Sequence, residues 1–182
     1  MRVSELMTAE TVCCLPGETA HYAASLMKQH GVGAILVVSS LSDPLLEGII
    51  TDRDLCCGVV AEAKDANATQ IVELMTRVPV TCLPDDSIED CEQRMQENQV
   101  RRIPVVNELG RCLGIVTQAD LALHLPSSRV GETVREISKA SEPGMSLHFE
   151  KDHFYCGQLH EEEQITLLNR RRDMRREAEV AQ

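Results

Sequence analysis

Two short stretches of this chain bring together side chains able to hold a ligand. Gly48-Ile49-Ile50-Thr51-Asp52-Arg53-Asp54-Leu55 and Gly114-Ile115-Val116-Thr117-Gln118-Ala119-Asp120-Leu121 share the form Gly-φ-φ-Thr-x-x-Asp-Leu, with φ aliphatic. The β-branched run reads as a strand ending at the threonine, with the aspartate in the first turn of a helix. Such a turn sets a hydroxyl and a carboxylate above a helix N-terminus. A carboxylate can accept two hydrogen bonds from a ribose diol, and a helix N-terminus favours a nearby phosphate. Aliphatic strand walls could sandwich a purine without an aromatic ring. The same atoms can also do something simpler, because Thr-x-x-Asp is a helix capping box contributing about 1 kcal/mol. From the motif alone both readings stand.

Other clusters are poorer candidates. His153-x-x-Cys156-x-x-x-His160 has nitrogen and sulfur donors of the kind zinc prefers, with His148 close by. Its loose spacing and the neighbouring Phe149, Phe154 and Tyr155 fit a packed segment better. The cysteines stand at positions 13, 14, 56, 57, 82, 91, 112 and 156, without a Cys-x-x-Cys pair. Most lie at apolar positions of predicted strands and helices, as small reduced hydrophobes. One thiol of each adjacent pair is expected to be exposed. No Cys/His arrangement or glycine-rich phosphate loop suggests catalysis, so no enzyme activity and no catalytic cofactor are expected.

The elements that must position the two turns are written twice. Leu6-Met7-Thr8 returns as Leu74-Met75-Thr76, Leu15-Pro16 as Leu83-Pro84, Met27 as Met95 and Val37-Val38 as Val105-Val106, each displaced by 68 residues. The Gly-φ-φ-Thr motif returns at 66, so a loop between has changed length by two. Each copy predicts an extended segment (11–15, 80–83) and a helix capped by Thr19 or Ser87. A buried strand (34–38, 103–106), a second strand (46–50, 112–116) and a second helix follow. Ser87-x-x-Asp90 fits a capping box of its own. A repeat of about 65 residues is marginal for burying its own core, so the copies should pack on each other. The boundaries read as 1–62 for the first repeat, 63–70 for a linker and 71–125 for the second repeat. A C-terminal extension, 126–160, holds turns around one short strand or helix. A charged helical tail, 161–182, follows, with a thin stripe at Ile165, Leu168 and Met174.

The net charge of −11 and the single repeat aromatic, Tyr22, argue against a nucleic-acid partner. No apolar run is long enough to cross a membrane, and residues 1–15 lack the order of a signal peptide, so a cytoplasmic protein is expected.

The order Leu-Met-Thr, Leu-Pro, helix, Val-x-x-Ile-Pro-Val-Val, Gly-Ile-Val-Thr-x-x-Asp-Leu resembles the cystathionine-β-synthase (CBS) domain. Two copies in tandem resemble a CBS pair, or Bateman module, over residues 1 to about 125. The resemblance implies an α+β fold of two β-α-β-β-α units, packed through their sheets with pseudo-twofold symmetry. It also implies two clefts for adenosyl ligands such as AMP, ADP, ATP, NAD or S-adenosylmethionine, and a homodimer. Each cleft would be built across the repeats. Thr51 and Asp54 would be joined by Thr76, Pro79, Val100, Arg101, Arg102 and Ile103. Thr117 and Asp120 would be joined by Thr8, Thr11, Val32, Gly33 and Ala34. The first cleft, with two arginines for a phosphate, should bind the nucleotide more tightly. The whole is expected to act as a regulatory module, with its tail available to a protein partner. A structural pair with empty clefts and a thiol- or metal-linked sensor are the alternatives.

Overall fold

The computed structural model describes residues 1–139. In the first repeat, β1 (Cys13–Cys14) leads to α1 (Ala20–His30), then β2 (Ala34–Val38), β3 (Leu46–Thr51) and the short α2 (Asp52–Leu55). In the second, β4 (Thr76–Arg77) precedes α3 (Ile88–Glu97), β5 (Arg102–Val106), β6 (Cys112–Thr117) and α4 (Gln118–His124). A further helix, α5 (Ser127–Ile137), ends the described chain. The mixture of helices and sheets is the α+β class expected.

Local chemistry sets the helix starts. Thr19 accepts the Tyr22 N–H and α1 stops at Gly31, whose φ is 64°. Ala20, Ala23 and Met27 fall on one buried face of α1, as Ile88, Cys91 and Met95 do on α3. Ser87 caps α3 by accepting the Asp90 N–H at 3.0 Å. The expected box is only half formed there: the Asp90 carboxylate accepts the Ser87 hydroxyl at 2.7 Å but not the Ser87 N–H.

The repeats exchange their opening segments. β2 pairs antiparallel with β3 and parallel with β1, while β4, which comes from the second repeat, adds to the far edge of β3. The converse holds beside β6, where Thr8 bridges Ile115. Val3 and Leu6 are buried with Ile88, Met95 and Ile103 in the second core. Ile71, Leu74 and Met75 are buried with Ala23, Ile35 and Ile50 in the first. Backbone bonds fasten each crossing: Val3 N–H to Asp86 at 3.0 Å, and Ile71 N–H to Glu18 at 2.8 Å. Neither repeat closes its core alone, the physical result of splitting so small a unit.

This exchange explains the glycine that opens each Gly-φ-φ-Thr motif. A Cβ on Gly48 would lie 2.7 Å from the Thr76 carbonyl oxygen and 2.9 Å from the Met75 sulfur. On Gly114 it would meet Thr8 and Met7 at the same distances. The repeated Leu-Met-Thr and Gly-φ-φ-Thr motifs are thus two halves of one contact, each made with the other repeat's partner.

The second repeat carries a helix the first lacks. Arg129 of α5 donates to Glu92 through Nε at 2.6 Å and also through Nη2, and it reaches Glu89 at 2.8 Å. Thr133 donates to the other Glu92 oxygen at 2.8 Å, and Ile137 is buried in the second core. The turn-rich extension expected after residue 125 therefore begins with an 11-residue amphipathic helix. The position equivalent to Glu92 in α1 is Ala24, which lines an open groove of about 320 Å³ with Ala20, Met27, Leu55, Cys56 and Val59.

Candidate functional site

Both Thr-x-x-Asp turns form complete capping boxes. The Thr51 N–H and hydroxyl each donate to Asp54 Oδ2 at 2.7 Å, and the Asp54 N–H returns to Thr51 Oγ1 at 3.3 Å. In the second turn the corresponding distances are 2.7, 2.6 and 3.3 Å. Each aspartate is held in place by its own helix start, which fixes where the carboxylate points. The Oδ2 atoms do the capping. Asp120 Oδ1 faces the other repeat, where the Thr8 hydroxyl lies 3.5 Å away. One carboxylate can therefore cap and still present an oxygen to the segment that the first repeat lends to the second core.

The remaining candidates gather along the strand starts and the crossing segments. Thr76 is paired with Ile49, two residues before Thr51, and Pro79 follows in the partly buried crossing segment. Thr11 lies in the corresponding segment of the first repeat, its hydroxyl 3.7 Å from the Cys13 sulfur. Val32 and Val100 pack against the first and second cores respectively. Ile103 is wholly buried in the second core, so its side chain lines no cleft and only its backbone can face one.

The strand register adds neighbours within each repeat. Ala34 pairs with Thr51, and the Asp52 N–H donates to the Gly33 carbonyl at 3.3 Å. Arg102 pairs with Thr117, and the Gln118 N–H donates to the Arg101 carbonyl at 2.9 Å. Arg101 and Arg102 thus flank the Thr117 turn by backbone, although the sequence reading joined them to the Thr51 turn. The Arg102 side chain nevertheless crosses over. A Cβ on Gly33 would lie 2.9 Å from Arg102 Nη2 and 3.1 Å from Asp52 Oδ2. A cation of the second repeat and an anion beside Thr51 therefore share one small space over a residue without a side chain. The sequence carries no signal for this approach, which depends on how the two strand starts abut.

The thiols divide by burial. Cys14, Cys82 and Cys91 are buried, Cys13 and Cys112 are half-buried, and Cys56 and Cys57 are exposed. Burial, with Glu18 nearby, pushes the Cys14 thiol up to about 12, and burial raises Cys112 to about 12 as well. Cys82 is lowered, chiefly because Cys91 donates a hydrogen bond to it. The expectation of one exposed thiol per pair is met by neither: on strand β1 Cys13 is only half-buried beside a buried Cys14, and Cys56 and Cys57 are both exposed. These two open a single π-helical turn, Cys56–Val60, that continues α2, and a widened turn does not alternate faces as a strand does. Among the described residues no group of His, Cys, Asp or Glu is arranged to hold a metal ion. The candidates His153, Cys156 and His160 lie outside the described residues. No described helix is long and apolar enough to cross a membrane.

The family profile of the CBS domain matches twice, over residues 3–59 and 71–127. The CBS domain-containing protein YhcV of Bacillus subtilis is 38% identical over 137 residues, covering 75% of this chain and 94% of the relative. Among solved structures, Hypoxic Response Protein I, described with two coordinated zinc ions, is 36% identical with a TM-score of 0.61. That match covers 69% of this chain and all of the other. A CBS domain protein from Pyrobaculum aerophilum, complexed with AMP, shares the fold at 21% identity and a TM-score of 0.63. It covers 74% of this chain and 99% of its counterpart.

Proposed function

The chain belongs to the CBS-domain family, and from that premise we propose that it is a non-catalytic regulatory module that binds an adenosyl ligand between its two repeats. The observation carrying the proposal is the Asp120 carboxylate, which caps its helix with one oxygen and turns the other toward Thr8 of the opposite repeat. A ribose hydroxyl between them would tie the lent opening segment to the second repeat. The Thr51 and Asp54 turn, with Arg102 reaching toward it from the second repeat, is the stronger cleft because a guanidinium can grip a phosphate. AMP bound to a protein of the same fold lends support to this ligand class.

Ligand regulates only by binding two arrangements of the repeats unequally. The exchanged segments offer the means, since Thr8 and Thr76 belong by chain to one repeat and by packing to the other. The module acts in the cytoplasm as a homodimer, with the open groove of α1 and the π-turn as the subunit contact and the tail read by a partner protein. Exposed Val60, which lines that groove, favours this face. The equivalent face of the second repeat is occupied by α5.

Thermal shift with AMP, ADP, ATP, NAD, S-adenosylmethionine and 5′-methylthioadenosine tests the reading. A ligand at 100 times its Kd should add about 2.7 kcal/mol. Arg102→Ala should weaken nucleotide binding more than Asp120→Ala. Silence across the whole panel would favour a structural pair, a reading the two complete capping boxes also support. A metal reading for His153, Cys156 and His160 rests on their donor types and spacing in the sequence. Metal analysis of the purified protein decides it.

A further inference from the structure

We propose that Asp52 sets the phosphate selectivity of the Thr51 cleft, favouring adenosyl ligands with few or no phosphates over polyphosphates. The inference rests on the adenosyl reading above and deepens it. Asp52 is exposed and stands first in α2. Its Oδ1 accepts the Arg53 N–H at 2.9 Å, which turns Oδ2 toward Gly33 and the Arg102 guanidinium. The two charges thus lie on either side of the space over Gly33 without forming an ion pair, so a phosphate held by Arg102 would sit close to the Asp52 carboxylate.

The other turn has no such device. Gln118 replaces Asp52 at the matching position, 66 residues on, and Arg101 replaces Gly33. The repeats thus differ in charge at the point where a ligand tail would emerge from a ribose held by the aspartate. A like charge a few ångströms from a phosphate at a wet site is repulsive by an amount that salt reduces. A neutral ribose substituent meets no such penalty. Gly33 matters because any side chain there would separate the Arg102 and Asp52 groups.

The test compares 5′-methylthioadenosine, AMP and ATP by calorimetry on the full chain, on Asp52→Asn and on the double variant Asp52→Asn/Arg102→Gln. Asparagine keeps the acceptor for the Arg53 N–H, and melting curves check that the fold is retained. Asp52→Asn should leave the Kd of 5′-methylthioadenosine within about twofold, tighten AMP about threefold and tighten ATP about tenfold. The gain should shrink in high salt and be smaller in the double variant, where no guanidinium holds the phosphate beside position 52. An equal change for all three ligands, or none for ATP, overturns the role of Asp52 while leaving the adenosyl reading intact. If no adenosyl compound binds any of the proteins, the adenosyl reading fails and this inference with it.

Discussion

Arg129→Ala should destabilise the protein more than Glu92→Ala, although the two residues form one ion pair. The Glu92 side chain is 5% exposed and the Arg129 side chain 35% exposed, so the two survivors face different environments. Removing Arg129 strands a buried carboxylate whose remaining partner is the Thr133 hydroxyl at 2.8 Å. Breaking a buried pair in this way costs about 3 kcal/mol. Removing Glu92 leaves a guanidinium that keeps Glu89 at 2.8 Å and has access to water. Thr133 then retains Gln96 at 3.3 Å. Charge-assisted bonds are lost but no charge is stranded, so the cost falls to about 2 kcal/mol. For a chain of this size those values lower Tm by roughly 9 and 6 °C. Urea denaturation of wild type, both single variants and the double variant closes the cycle. The double variant should be milder than the singles combined, with a coupling of about 1.5 kcal/mol. Coupling below about 0.5 kcal/mol, or Glu92→Ala the worse single variant, would refute the claim that this buried pair anchors α5 to α3.

Leu6→Ala should cost about 3 kcal/mol by opening a cavity in the second core, and amide exchange should rise first in β5 and β6. Faster exchange confined to β2 and β3 would contradict the segment exchange. Gly48→Ala and Gly114→Ala should each destabilise by about 2 kcal/mol in denaturant, because backbone 2.7 Å away must move. Brief alkylation followed by peptide mass mapping should label Cys56 and Cys57 well before Cys14, Cys82 and Cys91. The raised Cys14 and Cys112 thiols give stability that is fully present below the ordinary value of 9.0. It is lost as pH rises from there through about 12. Tm should fall across that window, and Cys14→Ala should flatten the fall.

The features legible in the chain were those carried by local interactions. Thr51 with Asp54 and Thr117 with Asp120 stand three residues apart, so their reciprocal bonds follow from one helical turn whatever surrounds them. The buried faces of α1 and α3 follow from helical periodicity, and the repeat disclosed the pairing of like elements. Tertiary packing decided the rest. It determined that Val3 and Leu6 complete the second core and that Met75 lies against Gly48. It set Arg102 beside Thr117 by backbone yet against Gly33 and Asp52 by side chain. It also turned Cys56 and Cys57 outward, and it seated α5 on Glu92 where the first repeat has Ala24. These contacts join residues tens of positions apart, and a period of 3.6 or 2 carries no information about them. The amino-acid sequence by itself determined the repeated unit and the chemistry of its two turns. Only the folded chain decided which repeat supplies each neighbour, because a core too small to close on its own must borrow its last residues from elsewhere.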